Sequence, residues 1–446
     1  MKFTAIKNLL SITNILKHGA IFIKNKISVI SEYRFIFRKF ITIIVLITSI
    51  SIVPDSLYLS PGKSVSLKHQ FSLMNWELVN IPSKWFNRAK TLMSVRKLND
   101  KQRKTVITEY LETTKLLKHA KNQLDGLSVV GKGTSINTRD EIRLDSLKEN
   151  FRELNATKQN LRPIAEEIIE SELNKLLLEL GFGYRFSLLI PPVDLRFEEL
   201  PTVLFISRRD KIEVIEQVIL EADLDLTKRN SIEKLLFDKF NYSALVDNIG
   251  GLSTYPTLVS DQGPLRSILR TAAHEWIHAY LFFKPLGWNW NRSANMFSLN
   301  ETIAELAGNE LGDELFVQLG GDLSIAQSRY VPTGKRNTSF TKEMKETRKE
   351  VDRLLDNGKI IEAEEYMKQR WWRLRLAGYP IRKLNQAYFA FHGRYAEGPT
   401  SISPIGPQVR ALREIHTDIR SFLKTVENVS SYEQFIKIIQ DKNIKY

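Results

Sequence analysis

The chain has 446 residues and no cysteine. This excludes disulfides, thiolate metal sites and cysteine nucleophiles together, and leaves histidine and carboxylate as the strong metal ligands. It sets no limit on redox compartment, because extracytosolic proteins can also lack cysteine. Internal repeats and low-complexity tracts are absent too, so solenoid and fibrous architectures are not expected. Long apolar runs are equally scarce. The candidate is Phe40–Val53, fourteen uncharged residues, against the roughly 17–25 that a spanning helix needs.

What precedes that run gives it meaning. Residues 1–39 hold eight Lys or Arg against one acid, Glu32, within a chain of net charge +14. A basic flank before an apolar segment is a membrane-insertion signal, and the positive-inside bias keeps the N-terminus cytosolic. By length the run also fits a signal-peptide core or a buried strand. The long basic flank and the possible extension through Pro54–Leu59 favour an uncleaved anchor. The excess charge then reads as a topology signal, and no nucleic-acid partner is required. Lys368–Arg375, which mixes Trp371 and Trp372 with basic residues, reads as a packed helix with a solvated basic face.

Residues 54–85 show no clear period and read as a connector. Helical periodicity follows from Ser83 to about Leu127, with Val106, Tyr110, Thr114 and Leu117 on one stripe, and again from Leu144 to Leu176. Pro163 should kink or split the second helix. The two form an expected antiparallel pair, a stalk or small helical domain. After Gly181 the period shortens. Tyr184–Ile190, Thr202–Ser207, Lys211–Leu220 and Leu252–Val259 read as strands, with a helix near Ser231–Phe240 between them. From Leu265 onward the pattern is helical nearly to the end. Strands followed by helices indicate an α+β fold with a small mixed or antiparallel sheet.

The chemistry concentrates in Leu265–Phe283, a helix carrying His274-Glu275-Trp276-Ile277-His278. Residues four apart stand one above the other on a helix, so both imidazoles can reach one metal ion. Glu275 lies about 100° round the same helix. It is badly placed to ligate but well placed as general base toward water held by the metal. Ile268, Ala272, Ile277 and Leu281 should anchor the opposite side in the core. Downstream, Ser298-Leu-Asn-Glu301-Thr-Ile-Ala-Glu305 opens a second helix. Glu301 and Glu305 share a face, and Ser298 with Glu301 also has the form of a capping box.

The His-Glu-x-x-His helix followed by this Glu-bearing helix resembles the gluzincins, the superfamily of thermolysin-like proteases and many aminopeptidases. The resemblance covers about fifty residues. It implies one zinc ion held by His274, His278 and Glu301, and an acid four residues on, here Glu305 rather than the Asp of the thermolysin pattern, orienting a ligand histidine. The alternative in which Glu305 ligates and Glu301 caps stays open. The metzincin extension is missing, since Leu281 and Lys284 stand where it needs Gly and His. Gly250–Tyr255 lacks the Glu of the aminopeptidase strand motif, so recognition of an amino end is unsupported. Gluzincins also supply a later Tyr or His toward the oxyanion, and Tyr388, His392 and Tyr395 are the candidates here. Tyr388 and His392 share a helical face, with Tyr395 nearly in register.

The sequence thus leads to these expectations: a basic cytosolic segment (1–39), a transmembrane anchor or uncleaved signal segment (40–57), a connector and helical region (58–180) and a zincin-like metallopeptidase domain (181–446). The protein would be a single-pass membrane-tethered zinc peptidase with its catalytic domain outside the cytosol, acting on a peptide or protein substrate. The rivals are a non-catalytic, membrane-anchored helical interaction protein and a soluble peptidase released by signal cleavage.

Overall fold

The computed structural model describes residues 59–130, 138–183, 188–325, 335–396 and 398–446. The described residues open with α1 (Pro61–Ser66), then three long helices, α2 (Leu73–Val95), α3 (Asp100–Val130) and α4 (Thr138–Glu179). Six short strands and α5 (Leu226–Phe240) follow, and the rest is helical. The fold is α+β, as the change of period indicates.

Of the connector expected over 54–85, residues 54–58 lie outside the described residues, and the rest is mostly helix. α2 starts at Leu73, capped by Ser72, and runs through Pro82. Pro163 likewise sits inside an unbroken α4. A proline deletes one backbone bond, but Ala165, Ile168, Ile169, Leu173, Leu176 and Leu177 beyond it are buried in the core. Each buried Ile or Leu among them is worth about 1.5–3 kcal/mol, enough in sum to outweigh the proline. α3 and α4 do run antiparallel: Arg103 pairs with Glu172, while Tyr110 and Lys158 both meet Asp261.

The strands form two three-stranded sheets. In one, β2 (Thr202–Ser207) lies between β3 (Val214–Leu220) and β4 (Ser243–Asn248), antiparallel to both. In the other, β6 (Thr257–Val259) pairs parallel with β1 (Leu195–Phe197) and antiparallel with β5 (Gly251–Leu252), which is an edge. The strand expected over Leu252–Val259 is therefore two short strands joined by a turn. Of the strand expected over Tyr184–Ile190, residues 184–187 lie outside the described residues, and 188–190 belong to neither sheet.

The helices that matter next are α6 (Leu265–Phe282), the short α7 (Pro285–Trp288) and α8 (Ala294–Gln318), followed by α9 (Lys335–Asp356), α10 (Ile360–Leu376) and α11 (Gln386–His392). The chain ends in α12 (Ile405–Glu414), α13 (Ile419–Val426) and α14 (Tyr432–Asp441). One buried cluster joins α4, β1, α6, α8 and the last three helices through Ile168, Phe197, Ile277, Leu299, Val409, Phe422 and Phe435. The boundary expected near 180 falls inside this core.

On α10, Trp371 donates to the Ile381 carbonyl, and Arg370 and Arg373 face Glu343. The apolar run 40–53 lies outside the described residues. Among the described residues no helix is long and apolar enough to cross a membrane.

Candidate metal centre

α6 buries Ile268, Leu269, Ala272, Ala273, Trp276, Ile277, Tyr280 and Leu281, spaced by one, three or four. This fixes the rotation of the helix and leaves one stripe for other work: Arg266, Arg270, His274 and His278, each four residues on. α8 packs along that stripe in the opposite direction.

At one end of the crossing, Asp313 accepts two hydrogen bonds from Arg266 and two from Arg270, all within 2.5–2.7 Å. In the middle lie two glycines. A Cβ on Gly312 would come within 2.4 Å of Arg270 Cα, and one on Gly308 within 2.6 Å of His274 Cα. These backbones touch because neither glycine has a side chain.

At the other end His274 and His278 meet Glu301. The Nε2 atoms of the two rings are 3.0 Å apart. Glu301 places one carboxylate oxygen 3.7 Å from His274 Nε2 and the other 3.6 Å from His278 Nε2. Among the described residues this is the one group of three His, Cys, Asp or Glu side chains converging closely enough to hold a metal ion.

The capping-box reading of Glu301 falls away. α8 begins at Ala294, and its cap is Ser293, whose hydroxyl accepts from the Met296 amide. Ser298 sits in the second turn, where its hydroxyl is buried without a hydrogen-bond partner. The alternative with Glu305 as ligand has no support in this geometry, since Glu301 is the carboxylate between the rings.

The surroundings set the charges. Burial disfavours a charged His274, and His278 beside it adds to this, holding its pKa down at about 4. Burial also opposes a charged His278, but Glu301, Glu275 and Asn300 together overcome it and raise its pKa to about 9. Glu301 is held below the usual carboxylate range, burial being outweighed by the two histidines. Two neighbours that sequence reasoning missed favour the charged rings: the Ala304 backbone acts on His274, and the Asn300 side chain on His278. Asn300 was visible beside Glu301, but no rule of spacing distinguishes it. Glu305, the expected orienter, lies one turn beyond Glu301.

Glu275 is buried against the edge strand. Its carboxylate fills the space in which Gly251 lacks a side chain, since a Cβ there would lie 2.5 Å from a carboxylate oxygen. Burial, reinforced by Glu301, raises its pKa to about 7 although His278 pulls the other way.

The three later candidates divide. Tyr388 and His392 lie on α11 with ring centres 4.3 Å apart, and His392 Nε2 is 3.2 Å from Asp247 on β4. Tyr395 is not in register with them, because α11 ends at His392 and the chain turns at Gly393. Tyr395 instead sits against Phe391 and is influenced by Glu301, Glu275 and Glu305; burial and these acids push its phenol far above the usual range. Arg394 next to it also faces Glu301.

Compared with known proteins, the chain matches no family model, no curated protein and no solved structure.

Proposed function

We propose that this chain is a zinc-dependent peptidase of gluzincin type, with a zincin-like catalytic region. The observation that carries the reading is the convergence of His274, His278 and Glu301 from two packed helices, with the Glu275 carboxylate buried beside them.

The donor set fits the ion. Bonds of about 2.0–2.1 Å in a tetrahedron imply ligand atoms roughly 3.3 Å apart; here the two ring nitrogens are 3.0 Å apart, and the Glu301 oxygens lie 3.7 Å from His274 Nε2 and 3.6 Å from His278 Nε2, one oxygen to each ring. Two imidazoles and one carboxylate leave a fourth position for substrate or water, as in catalytic rather than closed structural sites. A zinc ion held there would supply Lewis-acid polarisation of the scissile carbonyl and of the attacking water.

Glu275 is the general base. Its raised pKa lies near neutrality, where a carboxylate both accepts and returns a proton efficiently. It takes the proton from the attacking water and delivers it to the leaving amine. Tyr395, rather than Tyr388 or His392, donates toward the developing oxyanion, because its phenol keeps its proton and shares the environment of Glu275 and Glu301. Asn300 and Ala304 hold the rings in place. The tether belongs to the same proposal: residues 40–57 anchor the chain once, with the catalytic region outside the cytosol.

The test is zinc content with peptide turnover on the purified full chain. Wild type should carry about one equivalent of zinc, and His274→Ala should lose it. Glu275→Gln should keep the metal while kcat falls by about a thousandfold or more. A wild-type chain without zinc, or a fully active Glu275→Gln, would overturn the reading and favour the non-catalytic alternative.

A further inference from the structure

The half-buried arginines of this protein are mostly matched to acids. Arg209 is bidentate to Glu364, Arg266 and Arg270 to Asp313, and Arg413 to Glu310, while Arg382 bonds to Glu233. Arg394 differs. Its Nη1 is screened from water and has no hydrogen-bond partner, and among the described residues no carboxylate lies within ion-pair distance of its guanidinium. What it does have is an aromatic platform, with the guanidinium carbon 4.2 Å from the ring centre of Phe297.

Phe297 places this cation. It lies four residues before Glu301 on α8, so ring and ligand share a face about 6 Å apart along the axis. Arg394 is therefore held on the face of α8 that carries Glu301, near enough to act on its charge. It does not serve as the partner of Glu301, which is flanked by the two histidines. A buried guanidinium without a partner is costly to maintain, and its five-donor fork matches a carboxylate.

We infer that Arg394 binds a carboxylate of the substrate, one or two residues from the scissile bond. This rests on the peptidase reading and narrows its substrate class to peptides anionic near the cleavage point. The carboxylate has two sources, the C-terminus of the peptide or an acidic side chain. At about 3.5 Å per extended residue, one or two residues cover the roughly 6 Å of helix axis that separates Phe297 from Glu301.

The experiment uses the full chain carrying Glu275→Gln, so that peptides bind without turnover, with calorimetry as readout. Three N-acetylated tripeptides are compared: one with a free C-terminal carboxylate, its C-terminal amide, and the amide with Glu as last residue. The free acid should bind about 10- to 100-fold tighter than the plain amide. Adding Arg394→Met should abolish that preference with zinc content and Tm unchanged, and Arg394→Lys should keep part of it. Tight binding of the free acid alone supports the inference and assigns the chain terminus. Tight binding of the Glu amide as well supports it and assigns any nearby anion. Equal binding of acid and both amides, or a preference that survives Arg394→Met, overturns it. Failure of the peptidase reading would appear separately, as missing zinc.

Discussion

Two regions of this molecule bury acids and bases together, and they do so differently. Between α2, α4 and β1, Lys84 Nζ lies 2.7 Å from both Glu166 and Glu170. The same two carboxylates accept the backbone amides of Phe197 and Leu195, each at 2.8 Å. The chain thus supplies its own permanent cation, and the cluster ties two helices to a strand. At the histidine end of the crossing of α6 and α8, the atoms facing each other are two ring nitrogens and two carboxylate oxygens, all of them metal-binding atoms, and among the described residues no lysine or arginine lies at ion-pair distance from Glu301. A buried carboxylate with an internal cation is a joint; one that converges with imidazoles has the donor atoms to take a cation from outside, as the proposed function requires. Burial alone does not separate the two, because it raises Glu170, to about 8, and Glu275, to about 7.

The comparison breaks most visibly at Lys84. Removing one partner of a buried ion cluster typically costs about 3–5 kcal/mol, because it strands the other charges. Lys84→Met should therefore lower unfolding stability by that amount in urea titration, while the folded fraction keeps its zinc. A loss below about 1 kcal/mol, or zinc lost along with stability, would mean that the two regions are not separate kinds.

The helix crossing offers the next largest effect. Gly308→Ala drives a Cβ into His274 Cα, which neither backbone can yield to without the helices moving apart. The expected cost is about 1–3 kcal/mol of stability, with zinc affinity roughly tenfold lower because His274 and Glu301 separate. Gly126 on α3 makes the matched control, since a Cβ there meets nothing within 4 Å. Gly126→Ala should stabilise by about 0.4–1 kcal/mol and leave zinc binding unchanged. A Gly308→Ala protein that binds zinc as tightly as wild type would show that the close approach does not set the site.

Much of the centre was legible beforehand because it depends on local periodicity. His274, Glu275 and His278 follow from spacing on one helix, and β2 follows from its run of β-branched and aromatic residues. Glu301 came from resemblance, since nothing local distinguishes a ligand from a cap. The remainder depended on contacts between distant segments. Gly308 and Gly312 in a helix read as weak propensity until Arg270 and His274 are seen against them. β4, Ser-Ala-Leu-Val-Asp-Asn, has only a short apolar core and becomes a strand by pairing with β2. Tyr395 was misphased because helical spacing was carried past Gly393, where the helix stops. The first half of α2 reads as a connector because residues 54–85 show no clear period, and the helix's place on α4 is held by Lys84, a residue no periodicity marks as buried.

The smallest effect lies at the far end of the same crossing, in the clamp of Asp313. Burial alone would raise this carboxyl, but the bonds from Arg266 and Arg270 outweigh it and hold the pKa at about 2. A depressed folded pKa means that the unfolded chain, at about 3.9, binds the proton more readily. The contribution is therefore complete above about pH 4 and is lost as the pH falls toward 2. Because the group is still in part exposed to solvent, screening limits the gain to about 1 kcal/mol or less. Stability measured in urea from pH 6 down to pH 2.5 should fall more steeply for wild type than for Asp313→Asn, and the difference should shrink in 1 M salt. Zinc affinity at neutral pH should change less in Asp313→Asn than in Gly308→Ala, because the clamp fixes the crossing about eight residues from His278 along α6, while the glycine contact lies at His274 itself. Parallel pH profiles for the two proteins would show that the clamp adds nothing, leaving the glycines alone to set the approach of the helices.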